Sequence, residues 1–216
     1  MTDRALAVFD VCDTLYATNT TLAFLRFLGE RHPAIGREVN RWTSRRSAFF
    51  YLGAVSYRLL RHDLARNALI GALKGIPRQE LEAAGRLLAA DRLPGLANAE
   101  LHERLRRHLL NGDEVLLVSN SLDVVVAPIA DSLGVPFRAS ELEYKDAIST
   151  GRLKRDLTAR KAEAVSEFSG GTSRRLSVYT DNQSDADILA MADVKVIVLP
   201  PGRREWGEDG SAYIRL

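Results

Sequence analysis

Ala-Leu-Ala-Val-Phe-Asp-Val-Cys-Asp-Thr-Leu, residues 5–15, is the stretch of this chain that decides the fold. It begins with a short apolar run that ends in an acidic residue, Asp10. A continuous apolar run of this length predicts a strand that is buried on both faces, as in a parallel sheet. An aspartate after such a strand is often only a turn residue or a helix cap, so Asp10 alone says little about function.

Three further apolar runs have the same buried-strand character, and helical patterns separate or follow them. The runs cover residues 114–119, 176–180 and 194–199, and the helical patterns cover residues 97–110, 122–133, 159–168 and 184–192. This alternation predicts an α/β fold with a doubly wound parallel sheet. We also expect a hairpin turn at residues 148–151, and a loop with a short final strand after Pro200.

Between residues 18 and 90 the chain shows no strand pattern, and it is typical of several helices with breaks near Pro33 and Pro77. We therefore predict an all-helical insert at residues 18–90, and a sheet-bearing core formed by residues 1–17 and 91–216. From Tyr16 to Ala90 the chain has 12 Lys or Arg and 5 Asp or Glu, a balance of +7 within a whole-chain net charge of +2. The small net charge gives no indication of a nucleic-acid partner.

The cysteine content and the apolar segments bear on where the protein works. A single cysteine, Cys12, excludes an internal disulfide and favours a cytoplasmic location, and the N-terminus has no cleavable secretory pattern. The apolar stretch at residues 48–60 is too short to span a bilayer. We expect it to be a buried helix of the insert. The alternative is a helix on a membrane surface, because four arginines flank or interrupt the stretch: Arg45, Arg46, Arg58 and Arg61.

Polar residues fall at or just after three of the predicted strands. Asp10 is the first, Ser119 stands in Val-Ser-Asn-Ser, and Asp181 and Asp185 stand in Tyr-Thr-Asp-Asn-Gln-Ser-Asp. Ligands bind at this edge of open α/β sheets, near the switch in strand order. Three close carboxylates repel one another unless a cation or a basic side chain lies among them, so the cluster predicts a bound metal.

Each of these residues also has a simpler interpretation. Ser119 could cap the following helix, and Asp181 and Asp185 could only favour a helix N-terminus. A lysine near the site would suit an anionic ligand, and Lys161 is our first candidate. Two other lysines, Lys145 and Lys154, compete for that role.

Four motifs, taken together and in this order, resemble those of the haloacid dehalogenase superfamily. They contain Asp10, Ser119, Lys161, and the pair Asp181 and Asp185. They are similar in particular to its phosphoserine-phosphatase-like branch, which has a helical cap after the first motif. The resemblance covers nearly the whole chain, and it implies a Rossmann-like core and a Mg²⁺-dependent phosphatase. It implies that Asp10 is the nucleophile and forms an aspartyl-phosphate. The implied Mg²⁺ ligands are Asp10, the main-chain carbonyl of Cys12, Asp181 and Asp185.

The same resemblance implies how the substrate, a small phosphorylated molecule, would be bound. Ser119 and Lys161 would contact the phosphoryl oxygens, and Asn120, Thr18 and Asn19 are further candidates for substrate binding. Thr18 and Asn19 could equally well cap the next helix. The positive balance of the insert favours an anionic substrate, with five arginines as candidates: Arg41, Arg45, Arg46, Arg58 and Arg61. The sequence gives no indication of an oligomeric state.

Cys12 is a departure from the family's first motif, which usually reads Asp-x-Asp-x-Thr. The second aspartate of that motif is the general acid and base, and here Cys12 takes its place, followed by Asp13. A thiol is a poor match for the base step, because its pKa lies above neutral pH. We therefore keep two alternatives to a phosphatase: a phosphotransferase, and a non-catalytic metal-binding or regulatory protein. A dehalogenase is disfavoured, because it would not need Asp181 and Asp185.

Overall fold

The computed structural model describes residues 4–49, 64–171, 174–200, 202, 204–207 and 210–215. Seven strands form one sheet in the order β4-β3-β2-β1-β5-β6-β7. They are β1 (Leu6–Phe9), β2 (Glu114–Leu122), β3 (Phe137–Lys145), β4 (Ile148–Arg155), β5 (Leu176–Thr180), β6 (Val194–Leu199) and β7 (Ala212–Arg215). All neighbours are parallel except β3 and β4, which are antiparallel. The predicted α/β fold with a parallel, doubly wound sheet is confirmed.

Helices cover both faces of the sheet. In chain order the described helices are α1 (Thr20–Gly29), α2 (Pro33–Thr43), α3 (Leu64–Gly71), α4 (Arg78–Asp91), α5 (Ala99–Leu110), α6 (Asp123–Leu133), α7 (Lys161–Ser169) and α8 (Ala186–Leu189), with 3₁₀ turns at Pro94–Leu96 and Gln183–Asp185. None of the helices in the described part of the chain is long and apolar enough to cross a membrane.

Strand β1 is buried on both faces, which explains its unbroken apolar run. Ala7 and Phe9 belong to one core cluster, which also contains residues of α1, α4, α5 and α6, whereas Leu6 and Val8 belong to a second cluster with residues of α7. The exposed fraction of each of these four residues is 2% or less. Successive side chains of a strand point to opposite faces, so both faces of β1 must be apolar.

The chain leaves the sheet after β1 and returns before α5, and the two crossings are joined by hydrogen bonds. The N–H of Ala17 donates to the carbonyl of Leu96 at 2.8 Å, and the N–H of Asn98 donates to the carbonyl of Leu15 at 2.8 Å. The regular elements in the described part of residues 18–90 are the helices α1 to α4. The division at residues 17/18 and 90/91 stays a prediction, and residues 50–60 of the apolar stretch lie outside the described residues.

The hairpin is present, but the predicted position of its turn is wrong. The turn lies at Asp146 and Ala147, whose φ angles are 52° and 61°, and Ile148–Arg155 is strand β4. Gly151 suggested a turn at residues 148–151, but this glycine lies within strand β4 and allows close packing there. A Cβ on Gly151 would lie 2.9 Å from the carbonyl oxygen of Gly71, the last residue of α3.

Helix α4 approaches α6 even more closely, and this contact generates a prediction about stability. A Cβ on Gly85 would lie 1.9 Å from the carbonyl oxygen of Val124, so Gly85→Ala must push the two helices apart. We expect Gly85→Ala to lower the free energy of unfolding by about 1–3 kcal/mol, measured by urea denaturation.

Gly71→Ala is the matched control, because no atom lies within 4 Å of a Cβ at that position. It should leave the free energy of unfolding unchanged or raise it by up to about 1 kcal/mol. Equal losses in the two variants would contradict the packing argument.

Candidate functional site

Three of the predicted site residues meet because their strands are neighbours. Asp10 directly follows β1, Asp181 directly follows β5, and Ser119 lies in the second half of β2. Strand β1 pairs in parallel with both β2 and β5, so the switch in strand order falls at β1. All three residues line one cavity of about 510 Å³.

Lys161 is buried between two acidic residues, with an exposed fraction of 2%. Its Nζ lies 3.0 Å from Oδ2 of Asp10 and 2.7 Å from Oδ2 of Asp185. Burial works to lower the pKa of Lys161, but the adjacent carboxylates of Asp10 and Asp185 outweigh it and raise that pKa above its ordinary value. The lysine therefore carries its charge at neutral pH. The competing candidates Lys145 and Lys154 are exposed residues of the β3–β4 hairpin.

Asp185 is almost completely buried, and its two carboxylate oxygens have different surroundings. Oδ2 accepts hydrogen bonds from Nζ of Lys161 and from Oγ1 of Thr180, the latter at 2.6 Å. Oδ1 is buried and has no hydrogen-bond partner among the residues that the structure describes. A buried carboxylate oxygen without a partner is costly, so this atom has capacity for another donor or a cation.

Asp181 is held in place by Thr14, a residue of the first motif. The hydroxyl of Thr14 donates to Oδ1 of Asp181 at 3.2 Å, and it accepts from the N–H of Asp181 at 3.1 Å. Burial raises the pKa of Asp181, the negative charges of Asp10 and Asp13 add to this effect, and the result is a pKa of about 7. The charged form of Asp181 is thus opposed by its neighbours unless a cation is present.

The chemistry of these side chains fits a hard divalent cation, although they do not form a ready-made metal cluster. Within the described ranges, no group of three His, Cys, Asp or Glu residues is arranged as a metal site. The available donors are carboxylate oxygens of Asp10 and Asp181 and the unpartnered Oδ1 of Asp185. Mg²⁺ prefers oxygen ligands and keeps several waters, so two or three carboxylates are sufficient. The assignment of these residues and of the Cys12 carbonyl as ligands stays a prediction.

Cys12 belongs to a chain of hydroxyl groups at the edge of the cavity. Its Sγ lies 2.9 Å from Oγ1 of Thr20, which donates to Oγ of Ser121 at 2.9 Å, and Oγ1 of Thr21 lies 2.9 Å from the same Ser121 oxygen. Burial and the nearby charge of Asp10 raise the pKa of the Cys12 thiol. The thiol is therefore protonated at neutral pH. Asp13, the next residue, lines the cavity with a φ of 49°.

The remaining candidates for substrate binding have different positions. Asn19 lines the cavity, and it also caps α1, since its Oδ1 accepts from the N–H of Leu22 at 2.9 Å. Asn120 lines the cavity as well, whereas Thr18 is not among the lining residues. The N–H of Thr18 instead donates to the carbonyl of Tyr16 at 2.7 Å.

The arginine that lines the cavity is not one of the five predicted from the sequence. Arg41, Arg45 and Arg46 are exposed and are not among the lining residues, and the other two candidates, Arg58 and Arg61, lie outside the described residues. Arg66 of α3 lines the cavity. Nothing in the sequence distinguishes it from the other arginines of the insert, because its partners are 54 to 90 positions away along the chain.

Comparison with known proteins identifies the family of this chain. The sequence profile of the family described as HAD, haloacid dehalogenase-like hydrolase, matches residues 7–190. The chain belongs to this family.

Individual relatives support the phosphoserine-phosphatase-like branch. The phosphoserine phosphatase SerB1 of Mycobacterium tuberculosis is 27% identical over 207 residues, which cover 92% of this chain but 66% of that relative. A protein of unknown function from Bordetella pertussis Tohama I has a solved structure with a TM-score of 0.72 and 24% identity, covering 91% of both chains. The structure of a phospho-aspartyl intermediate analogue of phosphoserine phosphatase has a TM-score of 0.58 and 18% identity, covering 90% of this chain and 86% of that chain. At these identities the two structures establish the fold.

The burial of Lys161 generates a prediction that separates it from the competing lysines. Lys161→Met leaves Asp10 and Asp185 buried without their counter-charge. We expect it to lower the free energy of unfolding by about 3–5 kcal/mol, measured by urea denaturation in the presence of a chelator.

Lys154→Met is the matched control, because Lys154 is exposed and its Nζ lies 3.6 Å from the partly exposed Glu141. It should change the free energy of unfolding by less than about 1 kcal/mol. A Lys161→Met protein as stable as wild type would show that Lys161 does not neutralise the two acids.

Proposed function

We propose that this chain is a Mg²⁺-dependent phosphomonoester hydrolase that works through an aspartyl-phosphate on Asp10. The observation that carries the proposal is the convergence of Asp10, Ser119 and Asp181 at one cavity, with the buried Lys161 in contact with Asp10. The names of SerB1 and of the phosphoserine phosphatase structure support the same class of activity.

The contacts of Asp10 hold its carboxylate in one orientation, as a nucleophile requires. The N–H of Val11 donates to Oδ1 of Asp10 at 2.7 Å, and Nζ of Lys161 lies 3.0 Å from Oδ2, so the carboxylate cannot rotate freely. In the proposed reaction a carboxylate oxygen of Asp10 forms a bond to phosphorus while the bond to the leaving oxygen breaks. Water then attacks the aspartyl-phosphate, releases inorganic phosphate and restores Asp10.

Positive charge must meet the phosphoryl group, because a carboxylate is a weak nucleophile and the phosphoryl oxygens repel it. Lys161 supplies one charge, and Ser119 supplies a hydroxyl donor. When bound, Mg²⁺ would be held by Asp10, Asp181 and the carbonyl of Cys12, with Asp185 as the further carboxylate, and it would neutralise charge on the phosphoryl oxygens.

Cys12 favours a second candidate function. The leaving oxygen needs a proton, and a protonated thiol can give one, but the raised pKa of Cys12 makes the thiolate a scarce base for the water step. A phosphotransferase, in which another acceptor takes the phosphoryl group, or a non-catalytic metal-binding protein is therefore the alternative to a hydrolase.

The substrate class follows from the dimensions and charges of the cavity. A volume of about 510 Å³ suits a small phosphorylated molecule. The described lining residues include four aspartates and Arg66, namely Asp10, Asp13, Asp156, Asp181 and Arg66. We propose that the helical insert covers this cavity as a cap, and that the protein works in the cytosol, which the single cysteine supports.

Phosphate release from a panel of phosphomonoesters tests the proposal. The panel contains sugar, amino-acid, nucleotide and lipid phosphates, and each is measured with Mg²⁺ and with a chelator. We expect release that needs Mg²⁺ and disappears in Asp10→Asn. The chelator removes the charge neutralisation by Mg²⁺, and the substitution removes the nucleophile. Folded protein that binds Mg²⁺ but releases no phosphate from any substrate would favour the alternative functions.

Cys12→Asp tests whether the missing carboxylate limits the rate. If it does, a carboxyl at residue 12 should raise the turnover of ordinary phosphomonoesters by about tenfold or more, since general acid–base catalysis contributes factors of this size. Cys12→Asn is the matched control, because it has nearly the same shape and no titrating group. No gain in folded Cys12→Asp, or an equal gain in both variants, would rule out this explanation.

A further inference from the structure

Arg66 reaches from the helical insert to the sheet. Its Nη1 donates to Oδ2 of Asp156 at 2.7 Å, and its Nη2 donates to the carbonyl of Asn120 at 2.9 Å and to Oγ of Ser140 at 3.1 Å. Its side chain has an exposed fraction of 18%. An arginine that is this buried and fixed by three partners has one defined orientation, unlike the solvated arginines of the insert.

The contact with Asn120 bears directly on Ser119. The carbonyl that Arg66 holds belongs to the peptide between Asn120 and Ser121, and the N–H of that same peptide donates to Oγ of Ser119 at 3.2 Å. A peptide unit is planar and rigid, so a force on its carbonyl sets the direction of its N–H. A charged donor on the carbonyl also polarises the peptide and makes the N–H a stronger donor.

Asp156, which accepts the hydrogen bond from Nη1 of Arg66, is itself held in place. Asp156 accepts hydrogen bonds from the N–H and the hydroxyl of Thr158, at 3.0 and 2.8 Å. Burial works to raise the pKa of Asp156, but the hydrogen bonds of Thr158 and the charge of Arg66 outweigh it and lower that pKa. Asp156 is therefore ionised at neutral pH.

The backbone that carries Arg66 is fixed as well. Helix α3 ends at Gly71, which approaches Gly151 of β4 so closely that a Cβ on Gly151 would lie 2.9 Å from the Gly71 carbonyl oxygen. Both ends of the arginine side chain are thus held against the sheet.

We propose that Arg66 is a positioning residue that orients the hydroxyl of Ser119 through the Asn120–Ser121 peptide. With the N–H of Ser121 directed at one lone pair of Ser119 Oγ, the Ser119 O–H proton points elsewhere and can be donated to a phosphoryl oxygen. Without Arg66 the peptide loses its charged donor, and Ser119 loses that constraint. The proposal rests on the proposed function, in which Ser119 binds the phosphoryl group.

The first test uses kinetics of the Mg²⁺-loaded enzyme. We expect Arg66→Ala to lower kcat by about tenfold with a smaller change in KM, because a misaligned donor mainly weakens transition-state binding. Arg66→Lys has one nitrogen in place of the two that contact Asp156 and Asn120, so its kcat should fall between those of Arg66→Ala and wild type. Arg41→Ala is the matched control, since Arg41 is an exposed arginine of the insert that pairs with Glu38 at 3.2 Å, and it should keep the wild-type kcat.

The decisive comparison repeats Arg66→Ala in a Ser119→Ala background. If Arg66 acts through Ser119, its removal should lower kcat much less there than in wild type. A loss of the same size in both backgrounds, or a change confined to KM, would overturn the proposal. Thermal melting checks that each variant is folded, and Arg66→Lys serves if Arg66→Ala is not.

A second test needs no activity, so it separates this inference from the proposed function. Amide hydrogen exchange of Ser121 should be faster in Arg66→Ala than in wild type and unchanged in Arg41→Ala, because the Ser121 N–H is the donor that Arg66 orients. Unchanged exchange in Arg66→Ala would overturn the inference even in an active enzyme. Faster exchange in a protein that hydrolyses no phosphomonoester would support the structural link while the proposed function fails.

Discussion

The buried ammonium of Lys161 is the interaction on which the site depends. It meets Asp10 at the end of β1 and Asp185 in the 3₁₀ turn after β5, so three separate segments converge on one charge. The helix that carries Lys161 is itself fixed from that turn region, since the N–H of Ala162 donates to Oδ2 of Asp187 at 3.0 Å. One ammonium does not balance the acids around it. The raised pKa of Asp181 and the unpartnered Oδ1 of Asp185 both show negative charge that Lys161 does not neutralise.

The sheet could be predicted from sequence because its central strands are buried on both faces. Four apolar runs marked β1, β2, β5 and β6, and parallel pairing then brought Asp10, Ser119 and Asp181 to one edge. Strand β3 was not predicted, because its half-buried pattern lacks a continuous apolar run. The misplaced hairpin turn has a different cause, since Gly151 has a φ of 72° at an irregularity within β4, where it also leaves room for α3.

The site residues differ in whether local sequence or contacts between distant parts of the chain determine their surroundings. Capping and substrate binding were competing interpretations of Asn19. It caps α1 and also lines the cavity, so capping is confirmed and substrate binding stays a prediction. The hydroxyl chain beside Cys12 is different, because Ser121, which accepts from the hydroxyl of Thr20, lies 101 positions further along the chain. Arg66 belongs to this second group. A sequence pattern reports local periodicity, and it carries no signal for a guanidinium that finds its partners on the sheet.

The contacts between the insert and the sheet limit which motions can open the cavity. Helix α4 meets α6 at Gly85, and α3 meets β4 where Gly71 lies against Gly151. Neither Gly85 nor Gly151 has room for an added Cβ. A rigid rotation of the whole insert about its two crossings would have to break both contacts and the Arg66–Asp156 ion pair together. A smaller motion that leaves α3 against β4 and α4 against α6 breaks none of these contacts. Arg66 and its contacts with Asp156 and Asn120 can therefore stay in place during such a smaller motion.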